Sequence, residues 1–163
     1  RHFVETVRES DSDTSVIARV PHSSGLLNEQ VTPDTVLEDG DHRSHRPKEW
    51  YETGWEKLEA IRFLEDPDHA EGTRTMAQAA IRWLLAHDEV ASVTPTFRDA
   101  DDIAAWSAAS DVPPLSEAEY DRVDDLYARN FDIDRDDGMD VLRTSVDGED
   151  IEAAGLEKRA ASY

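Results

Sequence analysis

Residues 75–108 predict an α/β fold wound from parallel strands, on three observations. Residues 75–85 place Met76, Ala80, Trp83 and Leu84 on one face at helical spacing. A short apolar run, 90–93, follows the turn at His87 and Asp88 and reads as a strand. A polar corner, Pro95-Thr96-Phe97-Arg98, then leads into a second helix opened by Asp99. Helix, strand, corner and helix with such short joints make one winding step of a parallel α/β fold. Ligands in these folds sit where strands end and the next helices begin. Arg98 stands at that mouth beside the amides of a helix start, a place suited to a phosphate.

Composition narrows the function classes. The chain has 163 residues, with 38 acidic residues against 17 basic ones, a net charge of −21. Such a surface repels nucleic acid and anionic membranes, so neither is an expected partner. Scarce lysine beside abundant aspartate predicts a folded, salt-adapted (haloarchaeal-type) protein, in which salt screens the carboxylates from one another. The periodic apolar residues around Trp83, Leu84 and Leu85 argue against disorder. Without cysteine there is no disulfide and no thiol catalysis. No apolar run approaches the roughly 20 residues that span a bilayer, and nothing at the start resembles a signal peptide. The expected location is cytoplasmic. Arg1 rather than Met at the first position reads as the mark of a fragment.

Residues 2–10 read as the end of a helix with Phe3, Val4 and Val7 inward, broken by the polar cluster 10–14. Residues 15–20 read as a buried, β-branched strand ended by Pro21. In the loop 22–25, Gly25 leaves room for a close ligand and the Ser23 and Ser24 hydroxyls can donate to anions. Leu26 and Leu27 return to the core. Residues 28–47 form a long polar excursion, functional or disordered. His42 and His45 lack further ligands at familiar spacing, so no metal site is expected. Arg43 and Arg46 should anchor this loop to carboxylates. Residues 49–64 read as a helix with Trp50, Trp55, Leu58, Ile61 and Leu64 as its core stripe. Thr73 or Thr75 caps the helix that follows the loop 66–72. Pro113 and Pro114 halt the chain after Trp106 and Ala109, and Ser116 with Glu119 makes a capping box for the last helix. Its inner face is Tyr120, Val123, Leu126 and Tyr127. The acidic run 132–138 fails as a calcium loop, because Asp137 stands where glycine is needed and Arg143 where the bidentate glutamate belongs. The expected division is therefore a domain over 1–131 and an acidic C-terminal tail over 132–163.

Three stretches, in this order, resemble the C-terminal half of an aldo-keto reductase. Val16-Ile-Ala-Arg-Val-Pro-His-Ser-Ser-Gly-Leu-Leu27 is similar to the family's seventh strand and the loop after it. Met76-Ala-Gln-Ala-Ala-Ile-Arg-Trp-Leu-Leu85 resembles its Ala-Gln-x-Ala-Leu-x-Trp helix, and Val93-Thr-Pro-Thr-Phe-Arg98 its eighth strand and Ile-Pro-Gly-x-Arg corner. Leu115-Ser-Glu-Ala-Glu119 resembles the closing helix. The resemblance implies a partial (β/α)8 TIM barrel, and carbonyl reduction by a nicotinamide cofactor. It places Ser24, with Ser23 and Gly25, along the pyrophosphate. Arg19 falls where an aromatic packs on the nicotinamide, and Thr96, Phe97 and Arg98 where the adenosine phosphate or ribose is held. Arg98 suits the 2′-phosphate of NADP. Asp102 replaces a common Arg or Gln and disfavours that phosphate, which leaves NAD open. Trp106, where the family has Asn against the adenine, is either a packing contact to adenine or core.

The family's catalytic Asp, Tyr, Lys and His come from the first half of the barrel, and none of those motifs is present. No catalytic residue is therefore assigned, although hydride transfer needs an acid for the developing alkoxide. The reading is an NAD(P)H-dependent reductase of aldehydes or ketones, a small-molecule carbonyl being the substrate, that needs its missing N-terminal barrel half. Two other readings stay open: a non-catalytic half-barrel binding or regulatory module, and an unrelated (β/α) barrel enzyme.

Overall fold

A computed structural model describes residues 2–10, 13–65 and 74–133. Its elements are α1 (His2–Glu9), β1 (Val16–Arg19), α2 (Lys48–Ala60), α3 (Met76–Leu85), β2 (Val90–Thr94), α4 (Ala100–Ser107) and α5 (Glu117–Ala128). Strands β1 and β2 pair in parallel, Ile17 with Ser92, Ala18 with Val93 and Arg19 with Thr94. A register irregularity after Val16 accommodates Ala91. Parallel neighbours need a long crossover, and here it carries α2 and α3. The family-implied barrel needs more strands than these two, the only ones among the described residues.

Helix α3 is the central element, touching β2, α4 and the short 3-10 turns Arg62–Leu64 and Ala108–Ser110. Thr75 caps it through a reciprocal box. Thr75 Oγ1 accepts from the Gln78 amide at 3.2 Å, and Gln78 Oε1 accepts from the Thr75 amide at 3.0 Å. The single-face expectation for this helix fails. Met76, Ala77, Gln78, Ala79 and Ile81 are buried, whereas Ala80, Trp83 and Leu84 are only half-buried. Neighbours on several sides cover its first two turns, which a one-face pattern does not anticipate. Gln78 tolerates burial because its Nε2 donates to Ala105 O at 3.2 Å.

The expected strand 15–20 forms over Val16–Arg19, but it is not buried: Ile17 is 63% exposed. A sheet of two strands leaves outer edges and part of a face uncovered. The helix expected over 49–64 ends at Ala60, and a 3-10 turn continues it through Leu64. Of its stripe Leu58 and Leu64 are buried, while Trp50 and Trp55 lie half-buried against a cluster of Leu26, Val31 and Tyr51. Val31 and Leu37 tie the supposed polar excursion 28–47 into that cluster, so its backbone follows the core.

Arg74 rivets the entrance to α3. Its guanidinium is buried, donates to Leu64 O (2.8 Å), Pro113 O (3.3 Å) and Pro114 O (3.2 Å), and pairs with Glu119. Glu119 also closes the Ser116 capping box, accepting from the Ser116 amide at 2.6 Å. Contacts divide the chain after Tyr120, inside α5, into units 1–120 and 121–163. In the second unit the described residues end with a 3-10 turn, Asn130–Asp132, where Arg129 pairs with Asp132 at 2.6 Å. The acidic tail lies outside the described residues from 134 onward, and so does the rejected calcium loop.

Candidate functional site

Arg19 and Thr94 are partners in register, so the loops that follow β1 and β2 start side by side. Between them opens a cavity of about 440 Å³, within the range of small-molecule sites. Arg19, Ser24 and Gly25 line it from the first loop, Thr96 and Arg98 from the second, and His42 and Arg43 from the long connection. Ser24 and Arg98 thus share one rim. Ser23 and Phe97 do not line this cavity. Thr96 and Arg98 line this cavity, while Phe97 between them lines another. Phe97 joins Trp106, Ile103 and Ile81 around a second, apolar cavity of about 490 Å³.

The first loop has an unusual backbone. Val20 (φ 54°), Ser23 (48°), Ser24 (59°) and Gly25 (100°) all adopt left-handed conformations. For the non-glycine residues this costs on the order of 1–3 kcal/mol each, and it persists only where surroundings over-determine the chain. Here they do. The His22 carbonyl accepts from the Gly25 and Leu27 amides, each at 3.1 Å, and Gly25 O accepts from Val31 N at 3.0 Å. Strain held by so many bonds is a common mark of a ligand loop.

Electrostatics single out the same place. The chain carries 38 acidic side chains, yet none among the described residues lines this cavity, while Arg19, Arg43 and Arg98 do. Arg43 is fixed by Asp41 (2.6 Å), whose carboxyl its guanidinium holds well below the usual range, and its Nη1 reaches Ser24 O at 3.4 Å. Arg46 lies over the Trp50 ring, 4.1 Å from its centroid, and donates to Ser24 Oγ at 3.4 Å. That bond leaves the serine hydroxyl its own hydrogen to give. Arg19 has no ion pair among the described residues.

Arg98 departs from expectation. Its Nε and its backbone amide both donate to Asp102 Oδ2, at 3.2 and 3.0 Å, and Asp99 Oδ1 accepts from the Asp102 amide at 2.9 Å. The start of α4 is therefore served by its own carboxylates rather than open to an anion. The Arg98 hydrogen bond pulls the Asp102 carboxyl below its ordinary value. Sequence reading also missed His22, which is buried, packs against Trp106 and lines the cavity. Burial pushes its pKa below 6.5, against the opposing pull of the Ala77 carbonyl and Asp102. Nothing in a polar His-Ser-Ser-Gly loop signals that burial.

A family model described as "Aldo/keto reductase family" matches residues 1–128. The chain belongs to the aldo/keto reductase family. No curated protein and no solved structure matches it. The aldo/keto reductase match covers α1 to the end of α5, and hence both loops of the cavity. It makes the chain part of an oxidoreductase family. Tyr51 and Tyr120 give their hydroxyls to Arg43 O (2.5 Å) and Arg82 O (3.4 Å), and neither lines the cavity. Trp106 spends its indole N–H on Thr96 O at 3.1 Å and borders the second cavity, so it packs within the protein rather than lining the first. Among the described residues no helix is long and apolar enough to cross a membrane.

Proposed function

We propose that the cavity between the two strand ends holds a nicotinamide dinucleotide, and that the chain serves the NAD(P)H-dependent reduction of an aldehyde or ketone to an alcohol. One observation carries this reading: in a chain of net charge −21, three arginines line that cavity, Arg43 and Arg98 paired with Asp41 and Asp102, and no carboxylate among the described residues lines it. Gathering cations against so acidic a background favours an anionic ligand. The donors fit a pyrophosphate, which accepts hydrogen bonds and gives none. Ser24 has a hydroxyl hydrogen to offer, Arg19 a guanidinium with no ion pair among the described residues, and Gly25 lets the backbone approach closely. Thr96, Phe97 and Arg98 would hold the adenosine end, and Ser23 would support its neighbour.

Bound there, the dinucleotide would supply the hydride. This chain's residues bind and orient it. In this reading the acid that protonates the alkoxide comes from an N-terminal barrel half outside residues 1–163. The protein would then work as a salt-adapted cytoplasmic enzyme. Fluorescence titration with NADPH and NADH, in concentrated salt, tests the binding step. Saturable binding that Arg19→Ala weakens supports the proposal, and binding of neither nucleotide refutes it.

NADP is the cofactor that a free Arg98 would select; the Arg98–Asp102 pair favours a second reading, NAD. A 2′-phosphate at Arg98 must displace or neighbour the Asp102 carboxylate, 3.2 Å from Nε. Asp102→Asn is expected to tighten NADPH by about tenfold, roughly 1.4 kcal/mol, while NADH changes little. Equal effects on both nucleotides would remove Asp102 from the choice.

A further inference from the structure

We infer that His22 and Trp106 form a strut between the two lips of the cavity, and that His22 is a positioning residue for whatever the lips grip. The inference rests on the dinucleotide reading only for the choice of probe. His22 is 4% exposed. Its Nε2 lies 3.3 Å from Ala77 O on α3, and since a carbonyl only accepts, Nε2 carries the hydrogen. Its ring packs at a tilt against Trp106 of α4, centroids 4.4 Å apart at 49°. The indole N–H in turn donates to Thr96 O at 3.1 Å.

The chain of contacts therefore runs from one lip to the other. His22 stands two residues before Ser24, and its carbonyl collects the Gly25 and Leu27 amides. Thr96 stands two residues before Arg98. Moving the imidazole shifts Ser24 and Gly25 directly, and shifts Thr96 through the indole. A dinucleotide that must touch both lips reads their separation.

The charge on His22 is the natural control of this strut. The charged side chain near it is Asp102 on α4, itself paired with Arg98; from α3 it meets the Ala77 carbonyl. Burial disfavours the imidazolium, so the native fold holds the ring neutral, and protonation asks it to leave its place. The sign follows. With the folded pKa below the unfolded one, the strut's contribution is complete above about pH 6.5 and is lost as pH falls through the depressed value.

Two measurements on the full chain in constant salt test this. The first needs no ligand. An imidazolium in contact with an indole quenches it, so tryptophan fluorescence should fall with a midpoint below about pH 6.5, and this step should vanish in His22→Gln and in Trp106→Phe. The second is calorimetric titration of NAD, which has no 2′-phosphate to titrate, at about pH 7.5 and about pH 5.5. Wild-type affinity should fall at least about threefold on acidification. His22→Gln, whose amide can still donate to Ala77 O, should bind with no such dependence. His42→Gln should retain it, although His42 also lines the cavity. Trp106→Phe, losing the bond to Thr96, should bind about fivefold more weakly at both values. Absence of the fluorescence step in wild type, or pH-dependent NAD binding that survives His22→Gln, overturns the strut. If the step is present and NAD binds at neither pH, the dinucleotide reading falls while the strut stands.

Discussion

Gly25 should be the least replaceable glycine among the described residues, and Gly40 provides its control. Gly25 adopts φ +100°, and an alanine Cβ there would lie 3.1 Å from Arg43 Nη1 and 3.1 Å from Val31 Cγ2. Neither neighbour yields easily. Val31 is 1% exposed in the core cluster, and Arg43 is held by Asp41 and Ser24 O. Left-handed backbone costs alanine about 1–2 kcal/mol, and the crowding adds about 1–3 kcal/mol. Gly25→Ala should therefore lose about 2–5 kcal/mol, a large part of a domain's typical 5–15 kcal/mol. Gly40 also has a positive φ, +128°, but nothing lies within 4 Å of its added Cβ. Gly40→Ala carries the strain without the crowding, and the entropy lost from the unfolded chain is similar in both. The difference between the two variants, about 1–3 kcal/mol, isolates the tightness of the cavity wall. Urea denaturation at fixed salt, with unchanged m values, measures it. Equal midpoints would mean that Arg43 and Val31 do not press on Gly25. Loss of NAD binding in the Gly40 variant and not in the Gly25 variant would place the ligand elsewhere.

Further substitutions follow from the same packing. Gly54 sits inside α2, where alanine is normally better by about 1 kcal/mol, but its added Cβ would lie 2.5 Å from Leu26 Cδ1. Gly54→Ala should be destabilised by about 1–3 kcal/mol, and Leu26→Ala in the same chain should recover part of that loss. Arg74→Met leaves Glu119 and three carbonyls without their buried donor. It should cost about 3–5 kcal/mol in urea denaturation, and a loss under about 0.5 kcal/mol would contradict the rivet. Burial pushes the Lys57 ammonium down to about 8. Its folded pKa is below its unfolded one, so its contribution to stability is present above about pH 10.4 and lost as pH falls through about 8. Urea denaturation of the wild type across that range should accordingly show a pH dependence that Lys57→Met removes.

The chain's order of helices and strands was legible in its periodicity and caps. Ser116 with Glu119 is a local signal, and that cap forms where its spacing places it, whereas between Thr73 and Thr75 the sequence left the cap open and the structure has Thr75, boxed with Gln78. Local signals were poorer at burial. The helix 76–85 looked one-sided because periodicity counts apolar residues, while its real environment is set by distant neighbours. His22, Gln78 and Arg74 are buried polar groups whose partners, Ala77 O, Ala105 O and Glu119, no spacing rule connects to them.

By itself the sequence determined the acidic composition, the Ser116 cap, the parallel α/β winding and the motif order that resembles an aldo/keto reductase. The sequence led to the expectation that Ser24 and Arg98 share a rim, and both line one cavity; tertiary structure alone decided that Phe97 lines a different one and that Asp102 claims Arg98. The physical reason is distance along the chain. Periodicity and capping act over a few residues, whereas parallel pairing of Arg19 with Thr94 joins loops some seventy positions apart.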